Sequence, residues 1–297
     1  MPSMDLNQTL RHKAINGWRL FCLISGPISA VMVLAMARTE LSTGEAVSSM
    51  IQLSVRCAVP WLYLAFAASS VQRLWGGAIG RWLLSNRKIL GLSFAAAMAW
   101  QLLFIVWMVT VYRDYYVSEV YVLRDVIEGV GGYLFLIAMT FTSFRFGRRL
   151  LKPRSWKLLH KSGMYFLWAY AFSVYWWALF YYSDPVWIDY VFYWTGFLAW
   201  CLRAAAWCKE RRELAAKTGA AVRTGLVWAG ALLIGLGLVA AATGRVWWEP
   251  AEEAMTGYAI TRLPELYLPY WPPVAYLHVF IIAAGAFLMT RYKGTAD

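Results

Sequence analysis

The side chains best suited to chemistry in this sequence are its three histidines, His12, His160 and His278. A neutral imidazole can ligate iron, and a bis-histidine haem site needs two imidazoles that face each other across one porphyrin ring. His12 lies in a polar N-terminal stretch, whereas His160 and His278 each lie near the end of an apolar stretch. The predicted topology places these two ends at opposite faces of a membrane. Imidazoles placed in this way cannot share one iron, and a structural hydrogen-bonding role is favoured for His278.

Arg56 is a further candidate because it lies inside an apolar stretch, where a charge is costly. Its side chain either extends towards the lipid headgroups or faces the interior of a helix bundle. In the interior it could pair with an acid, a haem propionate or a quinone oxygen.

Other enzyme chemistry finds little support in the sequence. No acid is expected in the middle of any apolar stretch, and no nucleophile–base pair or phosphate-binding glycine loop is visible. No ordinary hydrolase or transferase site is therefore visible in the sequence. Any enzymatic role would be that of a membrane oxidoreductase component that receives electrons from a partner protein or a quinol.

The elements that position these side chains are predicted to be membrane helices. The chain has 297 residues, of which 61% are hydrophobic and 15% are charged, whereas about a quarter of a soluble domain is charged. The apolar residues form blocks of about 20, the length of helix that crosses a bilayer. We expect an all-α integral membrane protein with about eight transmembrane helices, near residues 18–37, 51–71, 90–112, 128–144, 162–182, 187–207, 224–243 and 272–290.

The charged residues predict the orientation of these helices. Most of the 28 lysines and arginines lie before the first span, between alternate pairs of spans and after the last span, while most acids lie in the other connections. The positive-inside rule then predicts that both termini lie on the cytoplasmic side of the membrane, which we expect to be a bacterial inner membrane. Because topology explains the net charge of +12, no nucleic-acid partner is expected.

This topology divides the chain into four predicted parts and suggests where partners bind. Besides the lipid bilayer, a protein partner is expected on the outer loop or on the cytoplasmic loops. The parts are a cytoplasmic tail at 1–17, a six-helix membrane domain at 18–207, a basic cytoplasmic loop at 208–223, and two additional helices at 224–297 with an outer loop at 245–271.

Two local patterns predict helix packing. The fifth span is rich in aromatic residues, which either fill space between helices or line a large flat cavity. In the seventh span, Ala231 and Gly235 are small residues spaced for close contact with a neighbouring helix.

Two motifs resemble the ferric reductase-like transmembrane domain. Asn86-Arg87-Lys88-Ile-Leu-Gly-Leu opens the third span, and Thr142-Ser143 is followed by a basic loop and Trp156-Lys-Leu-Leu-His160 before the fifth span. Ser42-Thr-Gly-Glu45 and Arg56 also resemble that domain. The similarity covers roughly residues 40–207 and extends in particular to the haem-binding membrane subunit of the bacterial periplasmic methionine sulfoxide reductase system.

The resemblance implies a six-helix bundle that carries two b-type haems between histidines of two neighbouring helices. His160 matches one of these histidines, but Gln101 and Ser173 stand where two others are expected, with Tyr175 close to the second. Amide and hydroxyl groups are poor iron ligands beside imidazole. The resemblance therefore leaves room for at most one b-haem, with His160 as the metal ligand.

Three functions remain open at this stage. The favoured one is a membrane subunit or scaffold that keeps the fold and binds no cofactor. The alternative is a transmembrane electron-transfer protein with at most one b-haem or a quinone, bound near His160, Gln101, Ser173, Arg56 and Tyr175. A transporter is the third.

Overall fold

The structure, a computed structural model, describes residues 6–221, 223–262 and 270–292, and every regular element of more than one residue among them is helical. The helices follow in chain order. They are α1 (Leu6–Arg11), α2 (Gly17–Arg38), α3 (Gly44–Trp75), α4 (Gly77–Val111), α5 (Arg113–Tyr115), α6 (Leu123–Thr142), α7 (Arg145–Arg148), α8 (Pro153–Phe180), α9 (Trp187–Thr218), α10 (Thr224–Ala242), α11 (Gly244–Arg262) and α12 (Leu277–Met289). Short 3₁₀ turns at Lys13–Ile15 and Pro273–Tyr276 and one π turn at Tyr116–Val120 complete the described elements.

Five helices, α2, α3, α4, α6 and α10, are long and apolar enough to cross a membrane. An all-helical chain with such helices has the composition of a helical membrane protein. The three other predicted spans coincide with α8, with α9 and with the shorter apolar helix Pro273–Met289.

The chain forms two compact units, Met1–Tyr170 and Ala171–Asp297. The division lies inside α8, whereas the sequence-based grouping placed a boundary after residue 207. The aromatic helix α8 therefore supplies core residues to both units.

Two segments predicted as loops are largely helical. Helix α9 continues through most of the predicted basic loop 208–223 and ends only where Gly219 adopts a left-handed conformation, with φ of 66°. Helix α11 occupies Gly244–Arg262, so most of the predicted outer loop 245–271 is helical as well. Residues 263–269 of that loop lie outside the described residues.

The core of the first unit is built on the pair α3 and α4. The two helices are joined at Gly76 and Gly77, which both have positive φ, a conformation that side chains with a Cβ rarely adopt. Phe66 of α3 is fully buried, stacks on Trp168 of α8 at 5.5 Å between ring centroids, and meets the edge of Tyr165. Aromatic residues of α8 thus fill space between helices in this unit.

In the second unit, α10 and α12 approach through glycines. A Cβ on Gly230 would lie 2.5 Å from the carbonyl oxygen of Gly285, and one on Gly285 would lie 2.6 Å from that of Gly230. The predicted contact residue Gly235 has no neighbouring atom within 4 Å of a Cβ. The sequence correctly indicated a close helix contact but selected the wrong face of α10.

Candidate functional site

His160 lies in a cluster formed by the start of α8 and the end of α6. Its Nε2 atom is 3.0 Å from the hydroxyl oxygen of Thr142, and its ring is 4.2 Å from that of Trp156. The indole of Trp156 donates a hydrogen bond of 3.1 Å to the carbonyl oxygen of Thr142. The guanidinium of Arg148 lies 4.6 Å above the Trp156 ring, which is a cation–π geometry. The motif Trp156 to His160 thus joins the ends of two helices.

The hydrogen bonds of this cluster indicate the tautomer of His160. The Thr142 hydroxyl is 2.7 Å from the carbonyl oxygen of Ala138, to which it donates its one proton. The hydroxyl oxygen can then accept a hydrogen bond from His160 in the tautomer that carries its proton on Nε2. A protonated Nε2 has no lone pair for iron, so this arrangement does not fit haem ligation through Nε2.

Burial, together with the nearby charges of Arg87 and Arg148, lowers the pKa of His160 from its ordinary value of 6.5 to about 4. His160 precedes the apolar stretch of α8 and is neutral at pH 7. Between the folded-state pKa and the unfolded-state pKa of His160, the unfolded chain binds a proton more readily than the folded chain does. Lowering the pH into this range therefore favours unfolding. The contribution to stability is fully present above about pH 6.5 and is lost as the pH falls towards 4.

We therefore expect the thermal stability of the wild type to exceed that of a His160→Gln variant by a margin that shrinks between pH 6.5 and pH 4. Melting temperatures of both proteins in the same detergent across this range measure the margin. His12→Gln is the matched control, since His12 lies in an exposed N-terminal turn. A margin that stays constant with pH would contradict the prediction.

The motif that opens the third predicted span has a structural role in the first unit. Asn86 is buried and accepts a hydrogen bond of 3.0 Å from the backbone of Gly17, while its amide donates to Asn16 at 2.8 Å. Arg87 donates a hydrogen bond of 3.1 Å from Nε to the carbonyl oxygen of Ala65 on α3. These contacts attach α2 and α3 to α4.

Gln101 lies in the second half of α4 and is buried. Its carbonyl oxygen accepts a hydrogen bond of 2.8 Å from the hydroxyl of Tyr133 on α6. The same hydroxyl lies 3.2 Å from the carbonyl oxygen of Met98. Where the resemblance leads one to expect a haem ligand, this chain therefore has an amide that connects α4 to α6.

Gln101 and Tyr133 line a cavity of about 440 Å³ between α4, α6 and α8. Most of its lining residues are aliphatic, and Tyr170 of α8 adds a second hydroxyl. Among the described residues that line it, the charged ones are Asp125 and Glu128. This volume lies within the range of small-molecule sites, about 300–1,000 Å³.

Glu128 was not recognised as a site residue from the sequence. It was taken to mark the start of a span, but α6 begins five residues earlier and Glu128 is only 7% exposed. Glu128 therefore lies near the start of α6, and the expectation that no acid lies in the middle of a span stays a prediction. The signal that could have revealed it is the apolar pair Val126-Ile127 directly before this acid, which continues the helix upstream of it.

The remaining predicted site residues lie in different surroundings. Arg56 is on an exposed face of α3, which suits the interpretation in which its side chain extends towards headgroups. Ser173 and Tyr175 belong to the second unit, where both are buried and Tyr175 contacts the ring of Phe192 at 5.0 Å. His160 is not among the residues that line the cavity beside Gln101.

His278 is enclosed in the second unit. It is fully buried, and its ring centroid lies 5.4 to 6.3 Å from those of Phe172, Tyr193, Phe197 and Trp247. Its Nε2 is 3.5 Å from the Tyr193 hydroxyl, and within the described part of the chain Nδ1 has no hydrogen-bond partner. Among the described residues, the predicted hydrogen-bonding role of His278 is therefore represented by its one long contact with Tyr193.

The described residues contain no group of three or more histidine, cysteine, aspartate or glutamate side chains that could hold a metal ion. A haem iron needs fewer than three protein ligands, so this result does not test for a haem. Whether a haem fits the first unit depends on His160 and its hydrogen bond to Thr142. Comparison with known proteins adds no assignment, because no protein-family model, no curated protein and no solved structure matches this chain.

Proposed function

We propose that the chain is a polytopic protein of the bacterial inner membrane that acts as a haem-free membrane subunit or scaffold for a partner protein. In this proposal the fold is the ferric-reductase-like bundle with two additional helices, eight helices cross the bilayer, and both termini are cytoplasmic. Five helices of sufficient length and apolarity support the membrane location. The separation of basic from acidic connecting segments supports the orientation.

The observation that carries the haem-free role is the hydrogen bond of 3.0 Å between Nε2 of His160 and the hydroxyl of Thr142. It occupies the nitrogen that would otherwise face an iron, and Gln101 is likewise engaged, by the hydroxyl of Tyr133. A haem ligated at these positions would have to displace these contacts.

The acidic helix α11 supports the scaffold role. Helix α11 carries Glu249, Glu252 and Glu253 in a chain whose net charge is +12. Its acidic character distinguishes it from the basic connections at the other predicted membrane face. We propose that α11 contributes to the partner surface.

We expect the purified protein to show neither a Soret band nor dithionite-reduced α and β bands. The physical reason is that the neutral imidazole of His160 donates to Thr142 and has no second imidazole opposite it within the described part of the first unit. Ultraviolet–visible spectra of the detergent-solubilised protein, oxidised and then reduced with dithionite, measure this directly.

The contrary result is a Soret band that disappears in His160→Ala and persists in His12→Ala. That pattern would establish a haem on His160 and support the electron-transfer alternative. A chromophore-free protein that co-purifies with a stoichiometric partner, and loses it when the acids of α11 are replaced by glutamine, would support the scaffold role.

A further inference from the structure

A polar pocket of about 370 Å³ lies in the first unit, between the N-terminal segment and the start of α4. One wall consists of residues of α1 together with Asn16. The other wall consists of residues of α4 between Ala78 and Ser85. The volume lies within the range of small-molecule sites, about 300–1,000 Å³, and the pocket shares no residue with the cavity beside Gln101.

Hydrogen bonds between side chains and backbone hold the two walls together. The indole of Trp82 on α4 donates a hydrogen bond of 2.9 Å to the carbonyl oxygen of Ile15. The amide of Asn86 donates to the side-chain oxygen of Asn16 at 2.8 Å. The amide of Asn16 donates in turn to the carbonyl oxygen of Leu10 at 2.9 Å. The pocket is therefore preformed, and its hydrogen-bonding groups other than these remain for a ligand.

The charge that lines this pocket is positive. Arg11 ends α1, Arg81 lies in the second turn of α4, and no acid is among the described residues that line the pocket. Neither guanidinium forms a hydrogen bond or an ion pair within the described part of the chain. Ala78 in the first turn of α4 also lines the pocket, and Gly76 leaves the amides of that turn without a side-chain cap. Such amides carry partial positive charge and attract anions, and guanidinium groups match the oxygens of a phosphate.

The depth of the pocket favours a lipid headgroup as the source of that phosphate. Helix α2 is long and apolar enough to cross a membrane, and it begins at Gly17, directly after the lining residue Asn16. The backbone of Gly17 donates a hydrogen bond of 3.0 Å to Asn86, so this turn of α4 lies level with the start of α2. From Asn86 back to Arg81 the rise along α4 is about 7.5 Å, and the headgroup layer of each leaflet is about 5–7 Å thick. The pocket therefore lies at the level of the lipid phosphates of one leaflet.

A zwitterionic phospholipid matches this pocket less well than an anionic one. Its ammonium group would lie close to the two guanidinium groups, and the described lining residues include no acid to receive it. A glycerol headgroup adds no positive charge and supplies hydroxyl donors. Ser85, which lines the pocket, donates its own proton to the carbonyl oxygen of Trp82 at 2.9 Å, so its oxygen can accept a hydrogen bond from such a hydroxyl.

We propose that the pocket between α1 and the start of α4 binds an anionic phospholipid of the phosphatidylglycerol class through its headgroup. Arg11 and Arg81 bind the phosphate oxygens, and Ser85 accepts a hydrogen bond from the glycerol. The bound lipid thereby attaches α1 and α4 to the membrane surface. This binding rests on the membrane location of the chain, and it is independent of the scaffold role and of whether the chain holds a haem.

Native mass spectrometry of the purified full-length protein in maltoside detergent tests the proposal. The protein is mixed with equal amounts of dioleoylphosphatidylglycerol and dioleoylphosphatidylcholine, which have identical acyl chains and differ in the net charge of the headgroup. We expect one phosphatidylglycerol to be retained per protein, with an affinity about tenfold or more above that of phosphatidylcholine. Titration of each lipid alone measures the two affinities.

Three variants locate the bound lipid. Arg11→Gln and Arg81→Gln each remove one positive charge from the pocket, and each should weaken phosphatidylglycerol binding by about tenfold. Both side chains are exposed, so we expect the variants to fold. Arg154→Gln is the matched control, because Arg154 is an exposed arginine of the same unit that is not among the lining residues. It removes the same charge from the chain and should leave the affinity unchanged.

Equal retention of the two lipids by the wild type would overturn the proposal. So would unchanged phosphatidylglycerol binding in Arg11→Gln and Arg81→Gln, or an equal loss in Arg154→Gln, which would indicate attraction to the net charge alone. Displacement of the lipid by an equal concentration of glycerol phosphate or inorganic phosphate would identify a site for a soluble phosphate, and would also overturn it. If one of the two pocket variants fails to fold, the other decides the outcome.

Discussion

Replacing Gly230 by leucine should separate α10 from α12 and destroy the native packing of the second unit. A Cβ at this position would lie 2.5 Å from the carbonyl oxygen of Gly285 and 3.0 Å from the backbone nitrogen of Met289. Backbone atoms cannot rotate away as the end of a side chain can, so the helices must move apart. Overpacking of this kind costs about 3 kcal/mol, and Gly230→Ala should already show part of the effect. The melting temperature and the size-exclusion profile of the detergent-solubilised protein measure it.

The control for this prediction is Gly235→Leu on the same helix. A Cβ on Gly235 meets no atom within 4 Å, so the side chain has room. Exchange of glycine for leucine in a helix interior also favours the helix by several tenths of a kcal/mol. Stability that falls equally in Gly230→Leu and Gly235→Leu would show that the contact between α10 and α12 has been misjudged.

Trp176→Ala should destabilise the second unit almost as strongly. Trp176 is fully buried, and its ring lies 4.9 Å from that of Trp177, 5.3 Å from that of Phe180 and 5.8 Å from that of Trp247. In a membrane protein the gain from removing apolar surface from water is small, because lipid is as apolar as the core. The loss therefore comes from the dispersion contacts of the indole and from the void that remains, and we expect about 3 kcal/mol.

Thermal unfolding in detergent, followed by tryptophan fluorescence, tests this expectation. The matched control is Trp228→Ala on α10, because Trp228 is 74% exposed and should change stability by less than about 0.5 kcal/mol. Trp176→Phe should restore most of the loss, since the buried Nε1 of Trp176 has no hydrogen-bond partner among the described residues. Equal melting temperatures of the two alanine variants would show that the contacts of Trp176 do not stabilise the second unit.

The helices of this protein could largely be predicted from its sequence. Apolar blocks of about 20 residues require internally hydrogen-bonded backbone in lipid, and a helix lies at each of the eight predicted spans, with five of them meeting the length and apolarity of a membrane span. Helix ends were predicted less well. Helices α9 and α11 extend through residues such as Lys217 and Glu252, because a polar helix in contact with water is as regular as an apolar one.

The candidate site followed from the sequence only in part. Gln101 and His160 were selected by motif position, and both are involved in contacts between helices. Tyr133 was not selected, and Thr142 was named only as part of a motif and not as the partner of His160, because hydrogen bonds between helices depend on the rotation of each helix about its axis. A helix that is apolar on all sides has no single apolar stripe. Its sequence therefore contains little information about its rotation.

By itself, the sequence determined that the chain forms long apolar helices, which segments carry the positive charge, and that too few histidines occur for two b-type haems. Each of these conclusions depends only on the types of residues and on their positions along the chain. Only the tertiary structure decided that Glu128 is buried beside a cavity, that Nε2 of His160 is bonded to Thr142, and that Gly230 rather than Gly235 contacts α12. These three facts depend on which side of each helix faces its neighbour. The rotation of each helix about its axis decides that, and no pattern of residue types along this chain specifies it.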